Sequence, residues 1–96
     1  NWQKATDDCL ANISTLASRY NTKVMICEIG MPWDSDNANV MMKKMVDGCK
    51  AKTECLGIFY WEPECYGGWN GYNKGAFDSN GKPTAVLDAF GSNVVK

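Results

Sequence analysis

The chain has 96 residues, enough for one small domain at most, and 45% of them are apolar, the balance of a globular protein. Ten basic against eleven acidic residues leave a net charge of −1, so there is no basic footprint for a phosphate backbone and nucleic acid is not expected as a partner. Histidine is absent, which excludes histidine-based triads and most catalytic zinc sites and leaves acid–base work to carboxylates, Lys, Tyr or Cys.

Trp2 to Tyr20 reads as a helix, with Trp2, Cys9, Ile13, Leu16 and Tyr20 at helical spacing and Leu10 and Ala17 widening the stripe. The pattern starts without a cap before it, and Asn21 is a suitable stop. Lys23 to Gly30 is a continuous apolar run interrupted by Glu28 and closed by glycine, the pattern of a strand buried on both faces. After Met31-Pro32-Trp33, the segment Asp34-Ser35-Asp36-Asn37 offers N-caps for a second helix from about Ala38 to Lys52. Its apolar side is expected to be Val40, Met41, Met45, Val46 and Cys49. A second buried strand, Leu56 to Glu62, stops at Pro63. A loop rich in glycine and aromatics covers Cys65 to Gly75, Asn80-Gly81 marks a turn, and Pro83 suits the start of a last helix over Thr84 to Phe90. The tail to Lys96 is expected to be loose. Neither apolar run approaches the roughly 20 residues that span a membrane. The order α-β-α-β-α implies a right-handed crossover and a parallel sheet, although two strands alone cannot cover such a sheet, which suggests a piece of a longer chain.

Glu28 is the odd residue in its strand. Period-2 alternation places it on the face of Val24 and Ile26, at the C-terminal end where parallel α/β proteins build their sites. The bland reading is a strand leaving for solvent. The second strand ends in Tyr60-Trp61-Glu62-Pro63 at the equivalent level, so a carboxylate and an aromatic platform are neighbours, the pairing that binds sugars. The competing account of Trp61 is ordinary core packing.

These residues carry a resemblance. Val24-Met25-Ile26-Cys27-Glu28-Ile29-Gly30-Met31-Pro32-Trp33, with Leu56-Gly57-Ile58-Phe59-Tyr60-Trp61-Glu62-Pro63-Glu64, resembles the end of the arabinogalactan endo-β-1,4-galactanases, glycoside hydrolase family 53. Gly75-Ala76-Phe77-Asp78, Gly81-Lys82-Pro83 and Ala85 to Phe90 are similar to that family's run into its last helix. The resemblance implies that residues 1–96 are the last quarter of a TIM (β/α)8 barrel, with strands seven and eight and their flanking helices. It implies a retaining, endo-acting hydrolase of β-1,4-galactan, with Glu28 as nucleophile and Trp61 flooring the sugar at the point of cleavage. Trp33, Trp69, Tyr66 and, less directly, Tyr72 are the further substrate-binding candidates. The acid/base glutamate would lie outside this chain, and neither Glu62 nor Glu64 is assigned to it. The Trp61–Glu62 bond is a candidate cis peptide. The intact protein is expected to be secreted, periplasmic or at the cell surface, with a polysaccharide as its partner.

No cofactor is expected; calcium near the two strand-end loops is the one metal the resemblance leaves open. Asp34-Ser35-Asp36-Asn37 resembles the start of a calcium loop, but Ala38, Asn39 and Met45 stand where a ligand, glycine and glutamate belong, so capping is the better account. Cys49 and Cys55 flank a short connection and are candidates for a bridge, with the redox state of all five cysteines left open. The alternatives are another retaining barrel glycosidase and a non-catalytic carbohydrate-binding module using Trp33, Trp61 and Trp69. A third is an inert piece whose unpaired strand edges favour self-association.

Overall fold

A computed structural model of the chain describes residues 1–91. Helix α1 (Trp2–Tyr20), strand β1 (Val24–Ile29), helix α2 (Ala38–Lys50) and strand β2 (Cys55–Tyr60) follow in order. Single 3-10 turns at Trp69–Gly71 and Ala85–Leu87 come next, and the one-turn helix α3 (Asp88–Gly91) closes the series. The tail beyond Gly91, expected to be loose, lies outside the described residues.

Helix α2 is the centre of the molecule. Ala38, Met41, Met42, Met45, Val46 and Cys49 repeat at three- and four-residue steps and all are buried. Met42 is fully enclosed, whereas Val40, expected on the apolar side, faces solvent. Ala76, Val86 and Ala89 complete the core, and Ile26, Ile29, Ile58 and Tyr60 pack onto it from the sheet. Helix α1 comes close to α2 because Gly48 has no side chain: a Cβ there would stand 2.5 Å from Leu10 Cδ1. The Lys44–Asp7 ion pair at 2.6 Å also joins the two helices. Asn1 caps α1, its Oδ1 accepting the Lys4 N–H at 3.2 Å, so a cap exists where the sequence pattern had none before its first apolar residue. Asn21 ends the helix in the left-handed region, as expected of a stop signal.

The strands pair in parallel through Val24 with Cys55, Ile26 with Ile58 and Ile29 with Tyr60, with irregular register between the pairs. Cys49 and Cys55 are joined by a disulfide, so the turn from α2 into β2 is covalently closed. Cys9, Cys27 and Cys65 are free thiols.

The expected quarter of a (β/α)8 barrel is not what these residues form. They make three helices and one two-stranded parallel sheet, with no barrel segment among the described residues. Barrel strands are paired along both edges, and parallel strands are covered on both faces. Here each strand pairs only with the other, and Leu56 (59% exposed), Phe59 (61%) and Met25 leave one face open. The apolar runs predict burial on two faces, but Met25, Cys27, Leu56 and Phe59 are exposed. The helix expected over Thr84–Phe90 is also broken into two short turns. Thr84 is extended because its N–H and its hydroxyl both donate to the Ala76 carbonyl, at 2.9 and 2.8 Å, which ties it to the preceding loop.

Candidate functional site

The parallel register brings the ends of β1 and β2 to one edge of the sheet. The Trp61 N–H donates to the Ile29 carbonyl at 3.0 Å, continuing the ladder past β2 and setting Trp61 beside the chain that carries Glu28. Glu28 and Ile26 border one cavity, but Glu28 is exposed whereas Ile26 packs against the core. The pairing register is irregular between Ile26 and Ile29, and Ile29 packs against the core as well. Glu28 borders an apolar cavity of about 240 Å³ between α1, α2 and the exit of β1, lined by Trp2, Cys9, Met31, Met41 and Met45 among others. Trp61 is 45% exposed, so core packing does not account for it.

The segment after β1 runs along the later loop. The Trp33 N–H donates to the Asn73 carbonyl at 2.9 Å, and Gly30 lies against Tyr72 and Lys74. The Tyr72 hydroxyl donates to the Trp61 carbonyl at 3.3 Å. Burial pushes the Tyr72 phenol above its ordinary range, and the neighbouring Cys65, Glu62 and Glu28 push it the same way. Trp33, Trp61, Tyr72 and Glu28 thus belong to one region at the strand ends.

The loop that follows builds a second cleft. No cis peptide bond occurs among the described residues, so the one expected at Trp61–Glu62 is absent. The chain turns there through a left-handed Glu62 instead, with φ 45°. Because β2 ends at Tyr60, strand parity no longer governs where Glu62 points. Its carboxylate accepts from the Cys65 thiol at 3.5 Å. Glu62, Glu64, Tyr66 and Trp69 line a cleft of about 650 Å³ with Cys65 and Gly67. Tyr66 is seated by Gly81, where a Cβ would come within 3.1 Å of its ring. Asp78 shapes that turn by accepting the Lys82 and Asn80 amides at 3.0 and 2.9 Å, and these bonds, Lys82's first, hold its carboxyl below the usual range.

Ligand atoms of Glu62, Glu64 and Cys65 lie within 4.8 Å of one another, the one such grouping of metal-binding side chains among the described residues. The set does not suit calcium, which takes six to eight oxygens. Burial, then the hydrogen bond to Glu62, also push the Cys65 thiol up, toward the protonated form that binds metals poorly. Asn37 is the N-cap of α2 but its side chain makes no capping bond; just before it the Ser35 hydroxyl accepts the Asn37 N–H at 3.2 Å.

The sequence pairs Glu28 with Trp61 at neighbouring strand ends, but does not separate Tyr66 and Trp69 into a second cleft. Sequence reasoning missed Trp2 as a neighbour of Glu28, because the helical spacing that put Trp2 in an apolar stripe carries no information about which loop the stripe meets. It also missed Gly30 as a point of close approach; a glycine directly after a strand-end carboxylate was the available signal. No helix among the described residues is long and apolar enough to cross a membrane. Neither a protein-family model nor a curated protein matches the chain.

Proposed function

We propose that the chain belongs to a retaining glycoside hydrolase acting within β-1,4-galactan, with Glu28 as its nucleophile and Trp61 as the surface on which the sugar stacks. The observation that carries this reading is the pairing at the sheet edge, where the Trp61 amide bonds to the carbonyl of the residue after Glu28. Exposed rings beside an exposed carboxylate suit a pyranose, whose C–H face stacks on an aromatic ring while its hydroxyls meet charged oxygens. The choice of galactan rests on the resemblance of the two strand-end strings.

In the reaction the Glu28 carboxylate attacks the anomeric carbon, and a glycosyl ester forms as the glycosidic C–O bond breaks. A second carboxyl about 5–5.5 Å away protonates the departing oxygen and then activates the water that cleaves the ester. We place that acid/base group outside these 96 residues, since Glu62 and Glu64 open on the neighbouring cleft with Cys65. Action in an oxidising compartment fits the Cys49–Cys55 bridge.

The test is Glu28→Gln in the full-length protein, assayed by reducing sugar released from galactan. Loss of a nucleophile lowers kcat by roughly 10³-fold or more. Activity within a few-fold of the parent would refute the assignment.

A further inference from the structure

The Tyr72 phenol touches both strand exits at once. Its hydroxyl donates to the Trp61 carbonyl after β2, and it lies directly over Gly30 after β1, where a Cβ would stand 3.0 Å from the phenol oxygen. Gly30 is not in the left-handed backbone region, so its lack of a side chain answers a need for space rather than for conformation. The same loop is fastened on either side of Tyr72. The Tyr72 N–H donates to the Trp69 carbonyl at 2.9 Å, and Asn73 accepts from Trp33.

We propose that Tyr72 is the positioning residue of the strand-end site: its hydroxyl locks the Trp61 backbone to the β1 exit and so fixes the sugar-stacking ring relative to Glu28. This rests on the reading of Glu28 and Trp61 as a sugar site. The parallel ladder stops at the Trp61 amide, and beyond it the chain reverses through the left-handed Glu62. The Trp61 carbonyl therefore has no strand partner, and the phenol supplies one. A neutral donor suits the place, because it satisfies the carbonyl without forming an ion pair that would quench the Glu28 carboxylate. Burial and the adjacent acidic groups hold the phenol in that neutral form.

The experiment uses the full-length protein with Tyr72→Phe, Gly30→Ala and both together, beside Trp61→Ala and Glu28→Gln. Binding of galacto-oligosaccharides is followed by tryptophan fluorescence, kcat and KM on galactan are measured, and tyrosine ionisation is followed by ultraviolet difference titration against Tyr72→Phe. Tyr72→Phe keeps the ring and removes one hydrogen bond, so binding weakens roughly 5- to 20-fold and KM rises more than kcat falls. Gly30→Ala displaces the phenol and gives the same pattern. The double variant is no worse than the more severe single one, because both break one unit.

If Trp61→Ala abolishes binding while Tyr72→Phe stays within twofold of the parent, the positioning role is overturned and the sugar site stands. If Trp61→Ala and Glu28→Gln both leave binding and activity unchanged, the site reading itself falls and the role of Tyr72 with it. A Tyr72 midpoint left at the value of a free phenol, against the Tyr72→Phe reference, overturns the buried placement of the hydroxyl. A loss of unfolding stability in Tyr72→Phe with no split between KM and kcat would make the residue merely structural.

Discussion

Reducing the Cys49–Cys55 bridge is the perturbation whose size follows most directly from the fold. The bridge closes a loop with a sequence separation of six between the end of α2 and the start of β2. For a loop of that length the chain-entropy treatment takes roughly 7 cal/mol/K from the unfolded ensemble, or ~2 kcal/mol at 25 °C. A chain of this size is stabilised by about 5–14 kcal/mol in total, so the bridge is a substantial share. Its effect is also local, because Cys55 begins β2 and pairs with Val24, whose N–H donates to the Glu54 carbonyl at 2.8 Å. Urea unfolding followed by circular dichroism should show the midpoint falling in reductant or in the Cys49→Ser/Cys55→Ser variant. The slope should steepen slightly as the unfolded chain expands. The thermal midpoint should fall by roughly 8–16 °C, at about 4–8 °C per kcal/mol for a domain this small. Thiol titration of the unreduced, denatured chain should find three free cysteines, Cys9, Cys27 and Cys65. Five titrating thiols, or a loss under about 0.5 kcal/mol on reduction, would refute the reasoning.

Alkali should weaken the fold through Tyr60, whose phenol donates to the Gly75 carbonyl at 3.1 Å and is pushed up to about 12, chiefly by burial and then by Tyr72. The folded chain holds that proton more tightly than the unfolded one, so the contribution is intact below about pH 10 and lost as pH rises through 12; allowing for partial exposure it is ~1–2 kcal/mol. Urea midpoints across that range should decline, and less steeply in Tyr60→Phe. Gly75→Ala should cost ~1–3 kcal/mol by the same assay, because its Cβ would collide with the Cys65 carbonyl and spread the loop that carries Tyr66, Trp69 and Tyr72. An unchanged midpoint would mean that the loop yields without cost.

Local order was legible in the sequence where a periodicity had only one solution. The two long helices, the two strands and their parallel crossover follow from spacing that nothing later in the chain contradicts. Met41, Met45, Val46 and Cys49 were placed on the inner side of α2 by spacing alone, and Val40 was misplaced because it lies one step outside the same stripe. What failed were inferences about what covers an apolar run or ties down a loop. Leu56 and Phe59 belong to an apolar run, but whether such a run is covered depends on what lies across from it, and here nothing does among the described residues. Thr84 has a helix-compatible neighbourhood, yet its two bonds to Ala76 cross eight residues of loop and override it. The exposure of Glu28 beside two half-buried isoleucines accompanies an irregularity in pairing, which leaves no mark on composition.

The two clefts are linked by one loop, and that link bears on the proposed substrate. An enzyme that cuts within a polysaccharide must hold several sugars in line, so a single stacked ring at Glu28 would not suffice. From Trp61 the chain passes Glu62, Glu64, Tyr66 and Trp69 and returns through Tyr72 to Gly30, so the loop that lines the second cleft also anchors the first. Its shape is held from outside by Gly75 packed under the Cys65 carbonyl and by Gly81 packed under the Tyr66 ring. On the proposed reading, sugars beyond the point of cleavage stack on Tyr66 and Trp69 while Glu62 and Glu64 meet their hydroxyls. Truncating Trp69 would then weaken long oligosaccharides more than short ones, whereas truncating Trp61 would weaken both, because on that reading Trp61 floors the sugar at the point of cleavage.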